Sequence, residues 1–520
     1  MLTEIMADSM VPLKMIKYMK PNIYNTLLFI FCLFFATSCN ERWEEMNTNP
    51  NQLKDLPDGY LFTSAIRGTF LDNMGRIQGD YSGQYAHIVT TDVFNREIDK
   101  YFDIHSSGDV DEDIFRAVYN GAILNISEVM KLTSEGQFKN EARHAQASII
   151  AAYNFSKITD LFGDVPFKDA AKGKEGNVTP KYDKQEDIYS GLMDLLNSSL
   201  NVLKKSTQSQ IYPSQFDPLY EGKLESWKRF GNSLKLRLAM RARLANPAKY
   251  EPIIVESLAE PLIETNQDNA KLTNYDNTNA QLYNPWYNKI IDYNANRFTM
   301  LWSDMFIETL RNSNDPRLGF FATKNNNGVY LGMPNGLLDI PYSQWSKNNT
   351  SRLKAQFVAR DQPLYLLTAS EVWFLRSEAA LFSIGPSTDA NAMYQNGIKT
   401  AMNQWGINSD LIDSYIIGTE GKLNGTKENQ FKQIATQIWI GCVPNFLESW
   451  NTIRRTGYPE IKPRIDANYS KGVTNGVMPR RLKYPFTVEK ITNGANIQEA
   501  IDRMGGSNKI DRPVWWDVKK

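Results

Sequence analysis

The amino-acid sequence predicts a mainly α-helical protein built from stacked helix pairs. Apolar residues recur at every third or fourth position in several stretches, and glycine or proline follows most of these stretches. A long segment rich in Asn, Gly, Tyr and Trp separates two groups of predicted helices. Because each helix has one apolar face, neighbouring helices are expected to bury these faces against one another.

The first group of predicted helices lies between residues 141 and 244. Its first helix is expected to end at Gly163 and Pro166, and the small residues of that helix permit close contact with a neighbour. The apolar positions of the three helices are Ala142, Ala145, Ile149, Tyr153 and Leu161; Ile188, Leu192, Leu195, Leu196 and Leu203; and Trp227, Phe230, Leu234 and Leu238.

The second group follows residue 363 and repeats this design. Its apolar positions are Val372, Leu375, Ala379 and Phe382; Tyr394, Ile398 and Met402; and Phe431, Ile434 and Ile438. Gly385 and Gly406 end the first two of these helices, and a last short helix is expected around Ile497 to Met504. No strict 34-residue repeat occurs, so the pattern indicates an array of divergent helix pairs.

The N-terminal segment predicts export from the cell. Three lysines precede an apolar run at 23–35, which is about 13 residues long, whereas a helix that crosses a bilayer needs about 20. Residues 1–38 are therefore interpreted as a signal peptide. The acidic stretch before the lysines is unusual for such a signal, and Met15 or Met19 would be a more natural start.

Cys39 is the predicted site of lipidation. The sequence Ala-Thr-Ser-Cys at 36–39 resembles the bacterial lipoprotein signal, in which cleavage leaves an acylated cysteine as the N-terminus. An ordinary secretory cleavage site is the alternative. The other cysteines are Cys32, inside the signal, and Cys442, so no intrachain disulfide is expected. Several acyl chains would anchor the protein firmly to a membrane.

Three regions follow from this interpretation. Residues 39–57 are a polar, lipidated tether, and 58–520 are a single helical domain with a loop-rich insertion at about 265–363. The glutamates after the cysteine resemble the acidic signal that directs some lipoproteins to the outer face of the outer membrane; a solvated linker is the alternative. No later segment reaches 18 apolar residues.

Composition favours a neutral, polar ligand. Lys and Arg together number 58, as do Asp and Glu, so no overall charge attracts nucleic acid or anionic lipid. The chain contains 25 Tyr, 25 Phe and 11 Trp, with many amide side chains in the predicted loops. Aromatic faces suit the C–H patches of sugar rings, and amides suit sugar hydroxyls.

The candidate ligand-binding residues are aromatic and amide side chains of two predicted loop regions. The early region offers Tyr81, Tyr85, Phe94 and Asn95, and the later one offers Tyr283, Trp286, Tyr287, Tyr293, Trp302 and Trp345. For any single one of them core packing is the expected role, but we expect the set as a whole to include at least one ligand contact. No cofactor is expected, although the oxygen-rich stretch near Asp276 and Asn277 could hold calcium.

A catalytic interpretation has little support in the sequence. The three histidines do not form an H-E-x-x-H motif, and no G-x-S-x-G motif or glycine-rich phosphate loop occurs. Asp160 and Asp164 could form a pair of catalytic carboxylates, but both lie where helix caps and turns are expected. The sequence therefore predicts a protein that is not an enzyme.

Six motifs, in this order, resemble the SusD/RagB family of nutrient-binding outer-membrane lipoproteins. They are KITDLFGDVPF (157–167), WKRFGNSLKLRLAMRARL (227–244), LLTASEVWFLRSEAAL (366–381), FLESWNTIRRTGYP (446–459), PRRLKYP (479–485) and PVWWD (513–517). The likeness extends from the lipid signal to the C-terminus, and the subgroup with NSLKLRLAMR and VWWD fits better than the founding starch-binding branch.

This resemblance implies a superhelical scaffold of four tetratricopeptide-like helix pairs with a loop-rich ligand face. Members act as cell-surface lids on a SusC-like TonB-dependent transporter and capture oligosaccharides for uptake. They are not enzymes. Ligand contacts do not transfer by motif, because they lie in loops of variable length. The motif residues Glu448, Arg454 and Arg455 are expected to form salt bridges, caps or transporter contacts, and Trp515 and Trp516 are expected to pack.

Two alternatives remain from the sequence. One branch of the family binds peptides, and copurified peptides would identify such a member. A lipid-anchored glycoside hydrolase is the alternative of another class, and it would need a carboxylate pair whose removal abolishes turnover.

Overall fold

The structure is a computed structural model of the 520-residue chain, in which Asp58–Lys520 form one compact unit. It describes residues 57–72, 74–91, 96–102, 110–279, 282–287, 300–341, 343–346, 348–485 and 487–519. Cys39, the predicted signal peptide and most of the tether lie outside these residues, as do the candidates Phe94, Asn95 and Tyr293.

Helices are the main elements of the described chain. Those of eight residues or more with α-helical geometry are Asp58–Leu71 (α1), Val110–Val118 (α2), Leu124–Ser134 (α3), Glu141–Phe162 (α4), Gln185–Lys205 (α5), Leu224–Ala242 (α6), Pro247–Leu258 (α7), Asp304–Asn312 (α8), Ala369–Leu381 (α9), Ala390–Gln404 (α10), Ser409–Ile417 (α11), Lys427–Gly441 (α12), Phe446–Thr456 (α13) and Val488–Arg503 (α14). A π-helical segment spans Gly75–Ser82.

Successive helices pack in pairs, as the periodicity predicts. Contacts join α3 to α4, α5 to α6, α9 to α10, and α12 to α13, and further contacts join α4 to α5 and α9 to α12. Helices α4 and α9 thus each contact two neighbouring helices, as in a tetratricopeptide-like array. The prediction of a mainly α-helical, stacked scaffold is confirmed.

Local signals set the ends of these helices. The Asn140 side chain accepts a hydrogen bond from the Arg143 N–H and caps the start of α4. Gly163 follows α4 with φ of 91°, a backbone conformation that favours glycine. The prediction that this helix ends at Gly163 is therefore correct. The range of α14 contains a kink at Asn493, where the backbone is not helical, and the helical part after this kink includes the short helix predicted around Ile497.

The predicted loop-rich segment contains short regular elements. Strand Val89–Thr91 (β1) pairs antiparallel with Met300–Trp302 (β3), and Ala270–Leu272 (β2) pairs antiparallel with Leu364–Leu367 (β4). Helix α8 begins directly after β3. Backbone hydrogen bonds of these strand pairs thus join the loop-rich segment to residues 89–91 and 364–367.

A buried ionic network joins α4, α6 and α13. The Arg241 guanidinium donates to both the Asp160 and the Glu448 carboxylates, and all three side chains are buried. Asp160 also accepts hydrogen bonds from the Tyr189 hydroxyl at 2.6 Å and the Trp516 indole at 2.7 Å. Burial raises the pKa of Asp160, and Arg241 opposes that shift. Asp160 is therefore a structural residue, as its turn-forming context indicates.

A second buried ion pair joins α9 to α13. Arg455 donates from both Nη atoms to the Glu378 carboxylate, at 2.6 and 2.7 Å. Arg454 stacks on the Trp450 ring at 3.8 Å and donates to the Asp160 carbonyl at 2.8 Å. These contacts confirm that the motif residues Glu448, Arg454 and Arg455 form buried salt bridges and hydrogen bonds. Asp164, the second residue of the candidate carboxylate pair Asp160 and Asp164, caps α5 by accepting a hydrogen bond from the Gln185 N–H at 2.9 Å.

Candidate functional site

Two surface features of the described chain lie at opposite ends of the β1–β3 pair. At the Met300 end, the Met300 side chain and the Trp286 indole both pack on Gly79, beside a shallow groove. At the Trp302 end, the chain turns through Ser303 into α8 beside a wider cleft.

The groove lies between α1, the π-helical segment, α4 and β4. Its walls include Asp72, Gln78, Lys157, Trp286 and Asn445. Its free volume is about 30 Å³, which is room for a water molecule rather than a sugar ring. A bound sugar would therefore lie across its mouth, with hydroxyls directed toward these polar side chains.

Lys157 is the charged group at the base of the groove. Its side chain is buried, and its ammonium donates to the Thr69 carbonyl at 3.0 Å. Burial lowers the pKa of Lys157 to about 8, although the nearby Asp72 carboxylate favours the charged form. Burial also raises the pKa of Asp72, against the effect of Lys157 and of the Ala122 N–H, which donates to it at 2.7 Å. The Asp72 carboxylate and the Lys157 ammonium thus give the groove both a hydrogen-bond acceptor and a hydrogen-bond donor.

Lys157 was not among the candidates that sequence reasoning selected, yet a signal for it exists. It follows Tyr153 by four positions on the face of α4 that also carries Ala145, Ile149 and Leu161. A lysine on an otherwise apolar helix face has to find a polar partner or a ligand in the fold. Gln78 and Asn445 also line the groove and hydrogen-bond each other at 3.3 Å, but no pattern in the sequence around them indicates this position.

An aromatic platform continues from the groove, and we define it as Tyr283, Trp286, Tyr287 and Arg360. The Arg360 guanidinium lies over the Tyr287 ring at 4.3 Å and over the Tyr283 ring at 5.4 Å. The two tyrosines meet edge to face at 6.0 Å, and Asn284 attaches this turn to the backbone carbonyls of Ala359 and Arg360. Tyr287 remains partly exposed, so one ring can contact a ligand.

Several predicted ligand contacts are core residues instead. Trp302 and Tyr85 are 0% and 1% exposed, and Tyr81, Tyr283 and Trp286 are also buried. Trp302 stacks on Phe306 at 4.7 Å and donates its indole N–H to the Phe321 carbonyl at 3.0 Å. A ring enclosed on both faces offers no surface to a sugar, and Tyr85 and Trp302 pack in the core of this structure.

Trp345 lies apart from the platform. It packs, partly exposed, on a small apolar cluster formed by Leu301, Met333 and Leu337, and Tyr469 flanks the same cluster. The structure therefore separates the later candidates into two surfaces. Tyr287 belongs to the platform, and Trp345 lies near the cleft.

The cleft lies between β1, the start of α8 and the segment 460–469. Its free volume is about 410 Å³, within the range of about 300–1,000 Å³ that is usual for small-molecule sites. His87, Asp304, Asn335, Arg464 and Tyr469 are among its lining residues. Burial and the neighbouring Arg464 lower the pKa of His87 well below its usual value, so the imidazole is neutral at pH 7.

Asp304 carries a destabilised charge in this cleft. Its carboxylate accepts one hydrogen bond, from the Met305 N–H at 2.7 Å, and has no cationic partner among the residues that the structure describes. Burial raises the pKa of Asp304 to about 6, and the Glu308 and Asp99 carboxylates add to the shift. At neutral pH the charge is present but costs free energy of folding.

Replacement of Asp304 by asparagine is expected to stabilise the fold at neutral pH. In the unfolded chain this carboxyl has a pKa near 4, so its contribution to wild-type stability falls as pH rises from about 4 to about 6 and then stays level. Asp304→Asn should raise the free energy of unfolding at pH 7.5 by about 1–3 kcal/mol and leave it nearly unchanged at pH 4. Urea denaturation at both pH values measures this, and an equal gain at both would contradict it.

No metal site accompanies these surfaces in the part of the chain that is described. No group of three or more His, Cys, Asp or Glu side chains there could hold a metal ion. Asp276, in the oxygen-rich stretch that could hold calcium, is exposed, and its carboxylate lies 3.9 Å from an Arg360 Nη atom. Asn277 accepts from the Asn279 N–H at 2.8 Å in a local turn.

Sequence comparison identifies the family. A sequence model described as SusD-like, "Starch-binding associating with outer membrane", matches residues 50–485. The chain therefore belongs to the SusD-like family of outer-membrane-associated glycan-binding proteins. The family consists of binding proteins, so this protein is not an enzyme, and the glycoside hydrolase alternative is set aside.

Solved structures share the fold over nearly the whole compact unit. A chitin-binding protein is 27% identical with a TM-score of 0.76, and the match covers 89% of this chain and 100% of that one. A SusD homologue from Bacteroides uniformis is 26% identical with a TM-score of 0.77 and the same coverage. A chitin-binding SusD homologue from Flavobacterium johnsoniae, 23% identical over 89% of this chain and 98% of that one, has a TM-score of 0.76. No curated protein matches the chain.

Within the described ranges, no helix combines the length and the apolar composition that crossing a bilayer requires.

Proposed function

We propose that this protein is a surface lipoprotein that captures oligosaccharides and delivers them to a SusC-like TonB-dependent transporter. The observation that carries the proposal is the likeness to a chitin-binding protein over the full length of that protein, at 27% identity. The proposed ligand is accordingly an oligomer of N-acetylglucosamine. A peptide ligand remains the alternative within the family.

The platform and the mouth of the groove are the proposed contact surface. The partly exposed Tyr287 ring would stack on a sugar face, while Gln78, Asn445 and the Asp72–Lys157 pair would meet hydroxyl and acetamido groups. Phe94, Asn95 and Tyr293, which lie outside the described residues, remain candidates. A few such stacking contacts, each about 0.5–1.5 kcal/mol, correspond to dissociation constants from high micromolar to millimolar for the isolated protein.

Anchoring would be through Cys39. Acylation of this cysteine would hold the protein at the outer membrane, on the cell exterior, and 39–57 would act as a tether that lets the domain close over the transporter. Cys39→Ala is expected to release the protein from the membrane fraction, and metabolic labelling with palmitate checks whether the label disappears with the cysteine.

Tyr287→Ala tests the platform. The variant is expected to bind an N-acetylglucosamine tetramer about 5–10-fold more weakly, because it loses one stacking ring and the surface on which Arg360 rests. Isothermal titration calorimetry measures the effect. Tyr330→Ala is the matched control, since Tyr330 is also partly buried beneath a cation, with Lys324 at 5.7 Å, but lies on neither surface.

The outcomes separate the site from the function. A wild-type protein that binds no glycan but copurifies with peptides, as shown by mass spectrometry, would contradict oligosaccharide capture. Wild-type binding with an unchanged affinity in Tyr287→Ala would place the ligand elsewhere. Copurification with a transporter from outer-membrane extracts tests the partner.

A further inference from the structure

The cleft has a chemistry that differs from that of the platform. Its acidic lining residues are Asp304, Glu460 and Asp466. Of its two cationic residues within the described chain, Arg464 lies beside the Asp99 carboxylate at 4.0 Å and Lys462 is exposed at the rim. The balance around Asp304 is therefore negative.

Asn335, which lines the same cleft as Asp304, has a buried side-chain acceptor without a partner. Asn335 is 3% exposed and donates from its Nδ2 to the Val89 carbonyl at 3.0 Å and to Asp99 at 2.6 Å, which fixes its orientation. Its Oδ1 atom accepts no hydrogen bond from any described residue. A buried acceptor without a donor is costly unless a water or a ligand supplies one.

Tyr469 completes this set. Its hydroxyl makes no hydrogen bond within the described ranges, and its ring is partly exposed beside Leu337. Burial raises the pKa of Tyr469, and the Asp304 and Asp466 carboxylates raise it further, while the Arg464 guanidinium opposes the shift. All four residues line the cleft. An aromatic face beside an uncompensated carboxylate suits a cation that carries several donors.

The cleft is built on fixed backbone. Ser303 donates its N–H to the Ile88 carbonyl at 2.9 Å, and Asp304 donates its N–H to the Met333 carbonyl at 3.0 Å. Arg464 is held under the cleft by stacking on Tyr101 at 3.6 Å. These bonds place the Asp304 carboxylate at a set position, so the site does not depend on the platform at the other end of the strands.

We propose that the cleft is a second ligand site that binds a primary ammonium group through Asp304, Asn335 and Tyr469. The carrier of the amine is an amino sugar such as glucosamine. That choice of carrier rests on the proposed function, because removal of the acetyl group from N-acetylglucosamine exposes this amine. An ammonium supplies three donors for the acceptors and neutralises the Asp304 charge.

The test compares amine and amide probes on the full chain at pH 7. A glucosamine tetramer is expected to bind at the cleft at least tenfold more tightly than an N-acetylglucosamine tetramer does there. Calorimetry measures the two affinities, and NMR line broadening at Asp304 reports binding at the cleft. Nα-acetyl-lysine amide shows whether an amine without a sugar suffices. Binding of both the glucosamine tetramer and Nα-acetyl-lysine amide supports an ammonium site. The ratio of their dissociation constants shows whether the sugar or the amine alone is recognised.

Two variants assign the effect. Asp304→Asn keeps the acceptor for the Met305 N–H and is expected to reduce binding of the glucosamine tetramer at least tenfold, while Tyr469→Phe gives a smaller loss. Glu308→Gln is the matched control, because Glu308 lies one turn further along α8, exposed and 3.6 Å from Arg311. Thermal unfolding confirms that each variant folds.

The result that would overturn the proposal is equal binding of both tetramers, or an equal loss in Asp304→Asn and Glu308→Gln. Tyr287→Ala separates this proposal from the previous one. If the cleft is a distinct site, that variant retains amine binding even where N-acetylglucosamine binding is lost. If amine binding falls with Tyr287 and not with Asp304, the cleft is not the site.

Discussion

Arg241→Leu is expected to lower the free energy of unfolding by about 3–5 kcal/mol. The substitution removes the guanidinium that contacts both the Asp160 and the Glu448 carboxylates, and it leaves those two charges buried near each other. The attraction of Arg241 and Arg237 outweighs burial and lowers the pKa of Glu448, so that carboxylate depends on its arginine partners. Equilibrium denaturation in urea measures the change.

Lys228→Met is the matched control on the same helix. Lys228 pairs with Glu225 at 2.8 Å, but the Glu225 side chain is largely exposed, so this ion pair contributes little. Its loss should change the stability by less than about 0.5 kcal/mol. A similar loss in both variants, or a loss below about 1 kcal/mol in Arg241→Leu, would contradict the structural importance of the network.

Gly332→Ala is expected to cost about 3 kcal/mol of stability. A Cβ atom at this position would lie 2.1 Å from the Ser303 carbonyl oxygen and 2.5 Å from the Asp304 nitrogen. Both neighbours are backbone atoms at the start of α8, so neither can rotate away. The strand end and the cleft must therefore shift, and chemical denaturation together with NMR of the β1–β3 region would record it.

Gly319→Ala provides the comparison for this prediction. Gly319 lies in the short helix Leu318–Phe321, and a Cβ atom there would meet only the Tyr330 hydroxyl, at 3.7 Å. Alanine favours helix over glycine by about 0.5–1 kcal/mol, so this variant should be neutral or slightly more stable. If Gly319→Ala destabilises the protein as much as Gly332→Ala does, close backbone approach is not the cause.

The helical scaffold could be predicted from local pattern because its signals are local. Apolar spacing located α4, α5, α6, α9, α10 and α12, and Gly163 marked an end, since a helix face and a stop require only neighbouring residues. Helix α7 shows the limit of this approach. It begins with Pro247 and contains Pro252, so its sequence resembles a boundary more than a helix.

The candidate site was harder to predict, because exposure is not a property of the sequence. Tyr287 and Trp302 are both aromatic residues in the same asparagine-rich region, yet the first is partly exposed and the second is fully buried. The strand pairing of Val89 with Trp302 draws the tryptophan into the core against Phe306. That pairing joins residues more than 200 positions apart, and no local pattern specifies it.

The sequence by itself determined the helical class, the family resemblance and the type of side chain available for a glycan. Helix periodicity and motif order are encoded in neighbouring residues, so they can be read without a fold. Only the tertiary structure decided which aromatic rings remain exposed, that Lys157 lies beneath a groove, and that Asp304 lacks a cationic partner within the described chain. These properties depend on burial and long-range pairing, since a side chain's solvent and partners are set by the segments packed against it.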